Sequence, residues 1–318
     1  MRRWCGAVGL SLLAGTALAA NHALLVGVSA YPHLPGKSLE GPANDVALMA
    51  RSLAELGFEA GQVRVLSEAS GEPPTRAAIV QNLARLAGQA RAGDWVLVYL
   101  SGHGAQVPQP QQAWRKSGGR READGLQEVF LPRDTWRWSA EQQAVQGALP
   151  DREIGQALQR IRSRGAHVWA VLDTCHAADL LRRPGHAETW RYASPLELQI
   201  PLPLWLARWQ EGLQRGGLQR PPPAERHPSA GVEGQFVGFF AAQEDEGALE
   251  ELLPAPDGGP RQRYGLFTYR LALALRGWQG SFLDLAEALR ASYRERPFPH
   301  PQFVGALSSR PGFGLAAR

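Results

Sequence analysis

Two uninterrupted apolar runs constrain this chain more than any other feature. Asp94-Trp-Val-Leu-Val-Tyr-Leu100 and His167-Val-Trp-Ala-Val-Leu172 carry no polar alternation after their first residue. A strand with one wet face alternates, so runs of this kind belong to strands buried on both faces, as in parallel sheets covered by helices. The neighbouring segments fit that frame. His22 to Ser29 reads as a buried strand and Val63 to Leu66 as a short one. Val46, Met49, Leu53 and Leu56 recur with a helical period, stopped by Gly57. A second helix runs from Pro74-Thr75 through Ile79, Leu83 and Leu86. A third runs from Pro150-Asp151 through Ile154, Leu158 and Ile161 to Gly165. Val129 to Leu131, Gln235 to Ala242 and Gln302 to Leu307 read as extended, and Leu266 to Leu275 and Phe282 to Leu289 as helices. Strands alternating with helices predict one α/β domain with a mostly parallel sheet.

Composition narrows the function. The 318 residues are 44% hydrophobic and 20% charged, which excludes a wholly disordered or fibrous chain. The net charge is +4, but Lys37 and Lys116 are the only lysines and the arginines are interleaved with acids. Without a basic run, nucleic acid is not expected as a partner. Arg2-Arg3, an uncharged stretch to Ala17 and an Ala17-Leu18-Ala19 site predict a signal peptide over residues 1–20 and export to the periplasm or medium, the alternative being an uncleaved anchor. No stable membrane span is expected once it is removed. Cys175 is then the one remaining cysteine. A lone thiol in an oxidising compartment is either inert in the core or kept for its reactivity.

Two segments break the pattern and are expected as loop insertions in a single domain over residues 21–310. Residues 105–123 are rich in Pro, Gln, Gly and Arg. Residues 182–231 contain Pro221-Pro-Pro223 and one amphipathic stretch, Leu202 to Leu213, in which Trp205 and Trp209 predict a packed surface helix.

Chemistry collects at strand ends, where sites form in parallel sheets. Ser101-Gly-His-Gly104 follows one buried strand and Asp173-Thr-Cys-His176 follows another. A thiol next to a histidine is the minimal nucleophile and proton carrier, and the small residues around His103 admit a substrate backbone.

These motifs, in this order, resemble the caspase-like peptidases, closest to bacterial metacaspases. Leu24-Leu-Val-Gly-Val28, Asn44-Asp45, Asp124-Gly125 with Glu128 and Pro132, Phe239 to Asp245, Gly265-Leu-Phe-Thr-Tyr269 and Pro301-Gln-Phe303 fit as well. The resemblance implies a caspase-like fold with a six-stranded sheet. It also implies a monomeric cysteine endopeptidase that needs no cofactor. Cys175 would be its nucleophile and His103 its general acid–base, and the N–H groups of Gly104 and Cys175 would form the oxyanion hole. Asp45, Asp173 and Ser101 would bind a basic residue before the cut, so protein or peptide substrates with Arg or Lys there are expected. A buried guanidinium wants carboxylate partners, which agrees. Calcium activation in the family uses several acids. Asp151 and Asp124 match two of them, but Arg152 and Arg182 stand where others are usual, so a complete calcium site is not expected. Self-processing is expected after a basic residue between Arg182 and Arg226, or among Arg115, Lys116, Arg120 and Arg121. Two rivals remain open at this point: a caspase-like scaffold without activity, which Ala177-Ala178 in place of Ser-Gly keeps alive, and a thiol hydrolase acting on non-peptide amides.

Overall fold

The computed structural model describes residues 19–109, 125–175, 189–214, 233–243, 246–296 and 298–313. The long apolar runs form adjacent central strands, β3 (Trp95–Ser101) and β9 (His167–Asp173). With β1 (Asn21–Gly27), β2 (Val63–Leu66), β11 (Phe236–Phe240) and β14 (Gln302–Gly305) they make a six-stranded sheet in the order β14-β11-β9-β3-β1-β2. All pairings are parallel except that of β14 with β11. A fold of this class was the sequence expectation.

Side chains of successive strand residues point to opposite faces, and this divides the core in two. Leu24, Val26, Val96 and Val98 meet Ile79, Leu83 and Leu86 of α2 (Arg76–Gln89) and Ile154, Leu158 and Ile161 of α3 (Asp151–Arg162). Ala23, Leu25, Leu97 and Trp169 face the other way. They meet Val46, Met49 and Leu53 of α1 (Gly41–Glu55), with Leu271 of α5 (Leu266–Leu275) and Phe282 and Leu285 of α6 (Phe282–Ser292). Local signals set the helix starts. Thr75 Oγ1 accepts from Ala78 N at the head of α2. Ser281 and Asp284 form a reciprocal capping box on α6, a motif that contributes about 1 kcal/mol.

The register then places the site. Gly27, Ser101 and Asp173 are direct neighbours across β1, β3 and β9, so the chain leaves all three strands on one edge of the sheet.

Three features differ from the sequence expectation. The expected insertion at 105–123 begins as β4 (Gly104–Pro108), which pairs with β5 (Leu126–Phe130) and, through it, with β8 (Leu149–Pro150); between β5 and β8 the chain forms a short hairpin of β6 (Trp138–Ser139) and β7 (Ala144–Val145). Ala105 and Val107 are buried, and Pro108 occupies the strand end, where a missing N–H costs least. Within 182–231 lie β10 (Thr189–Trp190) and α4 (Leu202–Gln214), and Tyr192, Ala193, Leu198 and Ile200 are buried rather than looped out. Trp205 is also buried, stacked on Trp209, with Nε1 donating to Gln106 O. A hairpin of β12 (Leu249–Leu253) and β13 (Gln262–Gly265) was not foreseen, although the Pro256-Asp-Gly-Gly259 turn signals it. Among the described residues, no helix is long and apolar enough to cross a membrane.

Candidate active site

His103 and Cys175 follow the neighbouring strands β3 and β9, and both are buried. Gly104 is the contact point between the two loops. A Cβ there would fall 2.1 Å from the Cys175 carbonyl oxygen, so only glycine lets the loops meet.

Backbone contacts fix the imidazole. Its Nε2 lies 2.7 Å from the Lys37 carbonyl oxygen. A carbonyl can only accept, so Nε2 carries the proton and Nδ1 presents its lone pair. Nδ1 is buried and makes no hydrogen bond. The His103 N–H donates to the Tyr31 hydroxyl at 2.8 Å, and the Tyr31 ring lies 4.9 Å from the imidazole. Burial, reinforced by the Lys37 charge, lowers the His103 pKa to about 3, so the ring is neutral. The Cys175 thiol donates to Glu246 O at 3.1 Å, which requires its proton.

The neutral ring has a consequence for acid stability. Its folded pKa lies below the ordinary 6.5, so the stability it contributes is present above pH 6.5 and is lost as pH falls toward 3. Parent protein is therefore expected to lose about 1 kcal/mol per pH unit more than His103→Gln between pH 6 and 4. Urea midpoints at pH 7, 5.5 and 4 measure this, and equal losses would contradict a buried neutral imidazole.

The residues expected to hold a basic side chain do come together, around an arginine of the chain itself. Arg191 is wholly buried. Its Nη2 lies 2.6 Å from Asp45 Oδ2, and its Nη1 lies 3.2 Å from Asp173 Oδ2 and 2.9 Å from Ser101 Oγ. Glu250 of β12, also buried, adds a third carboxylate 3.6 Å from Nη2. Burial alone would favour loss of the Arg191 proton, but Asp173, Asp45 and Glu250 reverse this and hold the charge firmly. Burial likewise pushes the Asp45 carboxyl up, and the guanidinium pulls it back. The acids are themselves fixed: Gly265 N donates to Asp45 Oδ1, and Thr268 N and Oγ1 donate to Asp173 Oδ2.

The Arg191 backbone is held too. Its carbonyl oxygen accepts from Gly104 N at 3.0 Å and Cys175 N at 3.4 Å, the two donors expected to bind an oxyanion. Its N–H donates to Ala248 O at 3.0 Å, and Thr189–Trp190 pairs antiparallel with β12. Beyond it, Lys37 Nζ donates to Tyr192 O at 2.8 Å and Ala193 N to Gly104 O at 3.0 Å.

Sequence reasoning missed Arg191 as a pocket occupant, and it missed Glu250, Tyr31 and Lys37. His176, Ala177, Ala178, Asp124, residues 1–18 and the basic residues from Arg115 to Arg121, Arg182, Arg183, Arg215, Arg220 and Arg226 lie outside the described residues. Asp151 stands in the first turn of α3 next to Arg152. Among the described residues, no group of three or more His, Cys, Asp or Glu is arranged to hold a metal.

The family model for the caspase domain, Peptidase_C14, matches residues 20–303. The chain belongs to the caspase-domain family. Metacaspase-7 of Arabidopsis thaliana is 30% identical over 165 residues, covering 51% of this chain and 36% of the relative. The chain spans about a third to a half of the length of the curated metacaspases it matches. Two crystal structures share the caspase-domain architecture. Protein GSU0716 from Geobacter sulfurreducens superposes with a TM-score of 0.61 at 22% identity, covering 92% of this chain and 98% of that one. Caspase-1 from Spodoptera frugiperda superposes at 0.53 and 12% identity, covering 92% of this chain and 88% of its own.

Proposed function

We propose that this caspase-domain protein is a metacaspase-type cysteine endopeptidase that cleaves after Arg or Lys, with Cys175 as nucleophile and His103 as proton carrier. The observation that supports this most directly is Arg191. Its guanidinium fills the acidic pocket while its carbonyl oxygen accepts from both oxyanion donors, as the residue before a scissile bond must.

The chemistry follows from the resting state. Thiol and imidazole both start uncharged, so the thiol proton passes to His103 Nδ1 as Sγ adds to the substrate carbonyl carbon. The Gly104 and Cys175 N–H groups then meet a full negative charge where they had met a carbonyl, and this gain in the transition state is the source of rate. His103 returns the proton to the leaving amine. Water, deprotonated by the same nitrogen, releases the thioester.

The pocket also ranks its ligands. Nη1 and Nη2 of an arginine reach different carboxylates, whereas a lysine ammonium is a single point. One charge-assisted contact is worth about 1.5–3 kcal/mol, or roughly 10- to 100-fold. Fluorogenic peptides ending in Arg, Lys and Asp, with Cys175→Ala as control, test the reading. Arg is expected to exceed Lys by at least about tenfold, with Asp at background. Preference for Asp would overturn it.

A further inference from the structure

We infer that Glu246 and His300 are positioning residues that restrain the nucleophile: together they hold a carbonyl oxygen against the Cys175 thiol, where it competes with His103 for the thiol proton. The inference rests on the proposed peptidase activity and specifies what sets its rate.

The competing acceptor is Glu246 O, 3.1 Å from Cys175 Sγ. His103 Nδ1, the nitrogen that must take the proton before sulfur can attack, is buried and makes no hydrogen bond. A hydrogen bond that only the neutral thiol can make favours the neutral thiol. It is lost as the proton moves to Nδ1, so it stabilises the resting state and not the transition state.

The carbonyl is kept in place because Glu246 is tied from two elements. Within the loop between β11 and β12, its N–H donates to Gln243 O at 3.1 Å, and Gln243 N donates back to its Oε2 at 3.4 Å. From the segment that enters β14, the His300 N–H donates to Oε2 at 2.5 Å and His300 Nδ1 donates to Oε1. A carboxylate oxygen facing a ring nitrogen accepts, so Nδ1 carries a proton. The next residue is pinned as well. A Cβ on Gly247 would fall 2.1 Å from the Trp190 ring, and Trp190 stacks on Phe298, two positions before His300. The Glu246 carboxylate has no part in the arginine pocket, which Asp45, Asp173 and Glu250 supply. The His300 side chain is 54% exposed, and ion pairs that open to water add little stability. What the pair does is fix the position of the Glu246 carbonyl.

The test compares full-length parent, His300→Ala, His300→Asn and Glu246→Gln in one processing state, checked by intact mass. Three quantities are read: kcat and KM for an arginyl peptide, the rate of Cys175 alkylation by iodoacetamide, and the melting temperature. His300→Ala leaves the Phe298–Trp190 stack in place, so the cleft stays equally covered and the alkylation ratio reads the thiol. Freed of one hydrogen bond of ordinary strength, His300→Ala should show kcat and alkylation both raised about fivefold, with KM and melting temperature near the parental values. His300→Asn can still donate to Oε1 and should return both rates towards the parent. Glu246→Gln loses the ion pair but keeps an oxygen for the two N–H donors, so its rates should lie between those of the parent and His300→Ala; it carries the test if His300→Ala does not fold. A merely structural contact predicts the opposite sign, a lower melting temperature with lower rates. Rates that stay level or fall in the folded variants overturn the inference and leave the proposed activity standing. If no form hydrolyses the peptide, the proposed activity is refuted, and the alkylation ratio still decides whether the thiol is restrained.

Discussion

Cys175→Ala is expected to reduce hydrolysis of arginyl peptides to background and to abolish self-cleavage, while leaving the fold intact. Cys175 is the one thiol among the described residues, and its own N–H donates to the Arg191 carbonyl oxygen. The Cys175 side chain is small, so its loss costs the core about 1 kcal/mol. His103→Ala should lose about two to four orders of magnitude in kcat/KM, the range for a positioned general acid–base, with the oxyanion donors keeping some rate. Neither side chain touches the arginine pocket, but a variant that stays uncut keeps Arg191 seated there, so a non-covalent arginyl ligand should bind uncut Cys175→Ala and uncut His103→Ala equally and weakly. An arginine-terminated peptide aldehyde, which needs the thiol, should fail on Cys175→Ala. Hydrolysis by purified Cys175→Ala at the parental rate would remove Cys175 from the mechanism.

The parts of the site legible in the sequence are those written into single short stretches. Ser101 to Gly104 and Asp173 to Cys175 follow apolar runs that had to be central strands, so their position at the carboxyl edge could be read without coordinates. Asp45 and Asp173 were legible as pocket acids through the family resemblance. Glu250 was not. It sits in Leu249-Glu-Glu-Leu-Leu253, where a carboxylate looks like the wet face of an ordinary strand. Arg191 was legible only as one arginine among several in an irregular stretch. Its burial is made tolerable by acids at positions 45, 173 and 250, which come from α1, β9 and β12. A linear pattern reports the charge of each residue but not which distant charges cancel it. The same blindness hid Tyr31 and Lys37, whose roles depend on a hydroxyl and a carbonyl meeting His103 across the cleft. A proline and scattered polar residues also disguised β4, a strand whose partner lies beyond position 125.

Asp45→Asn is expected to be the most damaging conservative change in the protein, because both carboxylate oxygens face donors. Oδ1 accepts from Gly265 N at 2.9 Å, and Oδ2 accepts from Arg191 Nη2 at 2.6 Å and Ser101 Oγ at 2.9 Å. An amide has one accepting end, so whichever way it turns, its NH2 group meets an N–H or O–H that donates. The guanidinium then loses its shortest ion pair while remaining fully buried. Breaking one partner of a buried pair costs about 3–5 kcal/mol, and this should appear in two places. In the uncut chain, Arg191 is the stranded cation and the melting temperature should fall by roughly 10 °C. In the cut enzyme, the substrate arginine is stranded, and kcat/KM for arginyl peptides should fall about 10²- to 10⁴-fold. The two effects have one cause, so they should be coupled. Arg191→Gln in the Asp45→Asn background should add much less destabilisation than it does in the parent, because the interaction it removes is already broken. Melting curves of the parent, both single variants and the double variant measure that coupling. Strictly additive shifts, or arginyl-peptide hydrolysis by Asp45→Asn within tenfold of the parent, would show that Asp45 does not hold the arginine.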